Sequence, residues 1–169
     1  MKKIMLTALF AIMAVCASAQ GNLTLWWGGN FAKFTDADSE FKPLNIGLTY
    51  TAPLQDAFDY SIGASYQTKG CKDWDPGFIQ LEGNGAWNFV KQDGVKVGVF
   101  TGPYVSFLVN KDDVEQTNTV DVGWQGGLKL DYSRLSLRAG YEFGFCNLFD
   151  IDKIDSKNGT FFVRVGFNF

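Results

Sequence analysis

Glu82 with Glu142, and Asp121 with Asp131, are the residue pairs in this sequence that could act as acid and base around a substrate. Any such chemistry would rest on carboxylates alone, because the chain has no histidine. That removes the usual general base of lipases, proteases and acyl transferases. The same acids have a plainer use. Together with Asp59 they nearly balance Lys96, Lys129, Arg138 and Arg164, which fall on the same polar faces of alternating segments. A sealed polar interior requires that balance, since an unpaired buried charge is costly. We read Asp59, Glu82, Lys96, Asp121, Lys129, Asp131, Arg138, Glu142 and Arg164 as a structural charge network. On this reading the protein is not an enzyme and needs no cofactor or metal.

Other acids lie between the alternating segments. Asp150-Ile-Asp-Lys-Ile-Asp155 invites a calcium reading, but it lacks the Gly turn and terminal Glu of an EF-hand loop and reads as solvated. Asp36, Asp38, Glu40, Asp73, Asp75, Asp112, Asp113 and Glu115 belong to similar stretches. The acidic balance argues against nucleic acid, whose phosphates call for a basic face.

The first residues, MKKIMLTALFAIMAVCASAQ, carry a charged start at Lys2 and Lys3, an apolar run, and Ala17-Ser18-Ala19 as a cleavage site. Residues 1–19 are expected to be a signal peptide and 20–169 the mature domain. Met-Ala-Val ahead of Cys16 fits a lipid-attachment signal poorly. Loss of Lys2 and Lys3 takes the formal charge from −3 to −5. It also leaves Cys71 and Cys146, an even number in an oxidising compartment, as a possible disulfide. Bridge and free thiols both stay open, because the Cα separation decides.

The elements that would hold the charges in place are strands. Period-two alternation recurs over 22–33, 43–51, 57–69, 78–90, 95–109, 119–132, 134–146 and 160–169. Leu135, Leu137, Ala139, Tyr141, Phe143 and Phe145 alternate with Ser136, Arg138, Gly140, Glu142 and Gly144. The connections alternate between long and short, as in barrels with outer loops and periplasmic turns. Tyr50, Phe58, Tyr60, Trp87, Phe89, Tyr132, Phe167 and Phe169 gather at the short-turn ends. Trp27, Phe31, Tyr66, Phe107, Trp124, Phe145 and Phe161 lie nearer the long loops, giving two aromatic belts. Phe78, Phe100 and Phe162 break the parity, which calls for lumen packing or a bulge. Gly29, Gly47, Gly63, Gly98 and Gly140 read as room for twist and for large lumen neighbours. The fold class is all-β, an eight-stranded antiparallel up-and-down transmembrane β-barrel.

Tyr66-Gln-Thr-Lys-Gly70, Ile79-Gln-Leu-Glu82, Gly102-Pro-Tyr-Val-Ser106 and Asp121-Val-Gly-Trp-Gln-Gly-Gly127 resemble the PorT-like outer-membrane β-barrel family. Leu137-Arg-Ala-Gly-Tyr141, Asn147-Leu148 and the terminal Phe169 extend the resemblance over the mature chain. Leu81-Glu-Gly-Asn-Gly85 departs from it, since a Pro and several larger apolar residues are expected there. The resemblance implies a bacterial outer-membrane location, with membrane lipid as a partner. It also implies that the barrel-assembly machinery recognises the end carrying Phe167 and Phe169. It names no single activity. The expected role is structural, adhesive or partner-binding, with unknown envelope partners. The alternatives are a narrow transport or secretion-machinery component, and a soluble lipocalin-like binder of small ligands.

Overall fold

The computed structural model describes residues 21–33, 40–69, 76–110, 119–147 and 157–169. Eight strands follow one another: β1 (Asn22–Lys33), β2 (Glu40–Gln55), β3 (Phe58–Thr68), β4 (Gly77–Gln92), β5 (Val95–Asn110), β6 (Val120–Tyr132), β7 (Leu135–Asn147) and β8 (Lys157–Asn168). Each pairs antiparallel with the next, and β1 pairs with β8, so the sheet closes. Closure leaves no strand edge unpaired.

The two ends of the barrel differ. The turns at 56–57, 93–94 and 133–134 are two residues each, whereas 34–39, 69–76, 111–119 and 148–156 form the longer connections. Asp93 and Gly94 both have positive φ (48° and 81°), the backbone that a tight hairpin needs and that Asp-Gly adopts readily. Ser133, at φ 53°, makes the next turn and donates its N–H to the Gly94 carbonyl at 3.1 Å.

Strand β2 runs past the expected boundary at 51. Ala52 still pairs with Tyr60 and Pro53 with Asp59, and the register shifts between Pro53 and Gln55. Pro53 has no N–H to give and sits where the ladder is already irregular. The turn therefore shrinks from the expected 52–56 to Asp56-Ala57.

Side-chain parity sorts the molecule into an apolar exterior and a polar interior. Trp27, Leu54, Leu128, Phe143 and Phe145 are exposed, while Asn30, Gln67, Gln80, Gln125 and Glu142 have no exposed surface. Phe78, Phe100 and Phe162, the parity breakers, are buried inside. Glycines make room for rings of this size. Phe100 stands opposite Gly127, Phe162 opposite Gly140, Tyr104 opposite Gly123, and Trp26 opposite both Gly47 and Gly166. A Cβ on Gly140 would come within 2.8 Å of the Phe162 ring, and one on Gly123 within 2.6 Å of Tyr104. Gly29 differs from the lumen reading: it pairs with outward Val163, and the Phe41 ring covers it.

The exterior holds two further departures. Tyr50, assigned to the short-turn belt, is only 3% exposed, and its ring lies against Gly21. Gly83 and Gly85, in the segment that departs from the family pattern, share the outward parity of Leu81 and Trp87 and have open space around them.

Candidate functional site

The interior polar groups form two hydrogen-bonded networks. The larger is centred on Arg164 of β8. Its Nη1 donates to Glu82 Oε2 at 2.8 Å and its Nη2 to Glu142 Oε1 at 2.9 Å. Its guanidinium also lies 4.4 Å from the centre of the Trp26 ring and 4.1 Å from that of Phe162. One planar cation thus bridges two carboxylates while its faces meet aromatic rings, a combination that suits arginine better than lysine.

The network extends from both carboxylates. Gln125 Nε2 donates to Glu82 Oε2 and to Asn84 Oδ1, each at 3.0 Å. Gln80 Nε2 donates to Glu142 Oε1 at 2.9 Å. Lys69 Nζ is 2.7 Å from Glu142 Oε2, donates to Gln80 Oε1 at 2.6 Å, and sits 4.4 Å from the centre of the Tyr104 ring. Tyr104 in turn donates its hydroxyl to Asp121 Oδ2 at 3.2 Å. These side chains come from five strands and from the residue after β3, so they tie opposite walls of the barrel together.

The smaller network lies toward the short-turn end. Lys129 Nζ is 2.8 Å from Asp59 Oδ2 and 3.5 Å from Asp131 Oδ2, and Asn88 Nδ2 donates to Asp59 at 2.8 Å. Arg138 donates to Thr51 Oγ1 at 3.3 Å and lies 5.7 Å from the centre of the Phe100 ring. Lys96 is Asp131's partner across the ladder and is partly exposed. Ala86, Phe100 and Phe162 form an apolar cluster within the interior, and Arg138 is the ladder partner of Arg164.

The carboxylate pairs take different places. Glu82 and Glu142 share Arg164, which holds both as its counterions. Asp121 and Asp131 belong to the same strand, ten residues apart. At about 3.3 Å per residue that puts ~33 Å between them, so they cannot flank one substrate. Cys71, the side chain of Cys146, residues 1–20 and Asp150–Asp155 lie outside the described residues.

Lys69 and Trp26 were absent from the sequence-based network, yet their parity points inward. Lys69 continues the polar series Ser61, Ser65 and Gln67 to the end of β3, and its side chain is fully buried. Trp26 shares the face of Thr24, with outward Trp27 beside it, and donates its ring N–H to Thr49 Oγ1 at 3.0 Å. Lys42 is also buried within the barrel, opposite Asn30.

A closed eight-stranded barrel with this inside-out polarity has the fold of the small outer-membrane β-barrels. It is similar to the crystal structure of Neisserial surface protein A, with TM-score 0.57, 11% identity, and coverage of 88% of this chain and 97% of the other. It is also similar to the outer-membrane enzyme PagL, with TM-score 0.56, 10% identity, and coverage of 86% and 97%. The outer-membrane protein Ail of Yersinia pestis, whose backbone structure was solved in a phospholipid bilayer nanodisc, matches with TM-score 0.51, 13% identity, and coverage of 90% and 100%. At such identities the likeness is one of fold. No family model and no curated protein sequence matches the chain.

Proposed function

We propose that this chain is a bacterial outer-membrane β-barrel of the PorT-like kind that performs no chemistry of its own. It serves as a structural, adhesive or partner-binding element, displaying its acidic long loops outward. The observation that carries this reading is the Arg164–Glu82–Glu142–Lys69 cluster, whose side chains are at most 3% exposed. Eight strands enclose only enough space for side chains, and here the central ones are bonded to each other across it.

The exterior supports the membrane setting. Leu54, Leu128 and Phe145 are 69%, 60% and 62% exposed, amid apolar residues on every strand. In water so large an apolar surface would drive association. A lipocalin-like calyx has the opposite polarity, with an apolar inside and a polar outside. The fold-level neighbours named for the outer membrane favour the same location. With residues 1–19 removed as a signal, the short turns and both termini would face the periplasm.

Two measurements test the reading. Purified barrel in planar lipid bilayers should carry no steady ion current; a reproducible current would move the protein to the transport class. In cells it should fractionate with outer membranes and change gel mobility on boiling. Recovery from the soluble periplasm without that shift would overturn the membrane assignment.

A further inference from the structure

Gly63 is an inward position without a side chain, set between two polar neighbours. Its ladder partners are Thr49 on β2 and Glu82 on β4, so Thr49, Gly63 and Glu82 lie side by side across the inner wall. A Cβ on Gly63 would lie 3.0 Å from Thr49 Oγ1, 3.1 Å from Glu82 Oε1 and 3.0 Å from Glu82 Cγ. Both oxygens therefore border the space that a side chain at 63 would take.

The two oxygens of Glu82 are treated differently. Oε2 takes Arg164 at 2.8 Å and Gln125 at 3.0 Å, whereas Oε1 has no hydrogen-bond partner among the described residues. Glu82 is 6% exposed, and a buried carboxylate oxygen left without a donor is costly. Thr49 is 1% exposed and accepts the Trp26 ring N–H at 3.0 Å, which leaves its own hydroxyl hydrogen to give. The two oxygens are at most about 6 Å apart, close to the span of two O–H···O bonds of ~2.8 Å meeting at one atom.

We propose that the space over Gly63 is a binding site for one enclosed water, which accepts from Thr49 Oγ1 and donates to Glu82 Oε1. Water can accept and donate at once, and buried waters are held by about two to four polar partners of this kind. A cation fits badly, because Glu82 already holds Arg164 and also interacts with Arg138. The water completes a ring. Trp26 donates to Thr49, Thr49 to the water and the water to Glu82, while Arg164 joins Glu82 to the Trp26 face at 4.4 Å. Glycine at 63 keeps the space open for it. The site is separate from the role proposed above.

Crystallography of the folded barrel in detergent tests this directly. A solvent peak within hydrogen-bond distance of both Thr49 Oγ1 and Glu82 Oε1 is expected; two ordered side chains with no peak between them overturn the proposal. Substitution at Gly63 separates water from shape. Gly63→Ala and Gly63→Ser bring the same Cβ into the space, but only serine carries a hydroxyl that can donate to Glu82 Oε1 in place of the water. Both should lower the urea midpoint of unfolding in lipid vesicles, and serine should recover a large part of the alanine loss. Crowding alone predicts that serine, the larger residue, does as badly as alanine or worse, and that result overturns the water site. If neither variant folds, the parent crystal structure decides. The parent midpoint should be the same in sodium chloride and choline chloride at equal ionic strength; a higher midpoint in sodium assigns the peak to a cation and overturns the water.

Discussion

Lys69 Nζ lies 2.7 Å from Glu142 Oε2, with both side chains at 0% exposure, joining the end of β3 to β7 across the barrel interior. Neither strand pairs with the other, so no ladder bond holds the two walls at that distance. The ion pair and its neighbours supply a cross-brace, and its energetics can be separated by mutation.

Lys69→Met removes one partner and leaves Glu142 to Arg164 and Gln80. Breaking a buried pair typically costs about 3–5 kcal/mol, and the remaining partners put this case near the lower end. Adding Glu142→Gln should recover a large part of the loss, because the uncompensated charge goes with it. Urea unfolding in lipid vesicles, followed by gel mobility, gives the double-mutant cycle. Strictly additive effects would argue against the pair.

Arg164→Lys is expected to behave as a severe change despite keeping the charge. A lysine reaches one carboxylate well, whereas Arg164 bridges Glu82 and Glu142 and stacks near Trp26 and Phe162. The lost hydrogen bond and stacking amount to roughly 2–4 kcal/mol. The same vesicle unfolding assay should show the lowered midpoint, and a variant as stable as the parent would refute the bridging role.

Gly102→Ala and Gly85→Ala make a matched pair. A Cβ at Gly102 would run into the Gly83 carbonyl and come within 2.8 Å of the Asn84 Cα, neither of which can move without the strand. Around Gly85 there is nothing within 4 Å. Overpacking of this kind costs about 1–3 kcal/mol, so Gly102→Ala should lower folding yield in vesicles while Gly85→Ala leaves it near that of the parent. Equal yields would mean that the close approach at Gly102 does not constrain folding.

Phe167 and Phe169 are the proposed assembly signal. Phe169 is 71% exposed, its ring sits 5.2 Å from that of Phe167, and its N–H donates to the Leu23 carbonyl at 2.8 Å. The C-terminus thus contributes to the β1–β8 seam while both rings stay accessible. Phe169→Asp should sharply reduce the amount inserted in the outer membrane while export from the cytoplasm continues. Quantitative blotting of membrane and periplasmic fractions reads the split, and normal insertion of the variant would remove the signal role.

The strands, their antiparallel order and their two faces were legible in the sequence because parity is local. A residue two positions along a strand points the same way whatever the strand packs against, so Ser136, Arg138 and Glu142 could be assigned one side from β7 alone. Loop rhythm then ordered the strands. Boundaries were less legible: β2 continues through Ala52 and Pro53 because β3 is there to pair with it, which no local pattern reports.

Which charges meet was decided only by closure. Arg164 and Glu82 are 82 positions apart on β8 and β4, on opposite walls, and reach each other only once β1 joins β8. The same closure gives Lys69 to Glu142 and Asp59 to Lys129. Sequence fixes the sign and side of each group, since both follow from residue type and parity. Pairing depends on strand stagger and side-chain reach across a space about two side chains wide, and those are properties of the closed barrel alone.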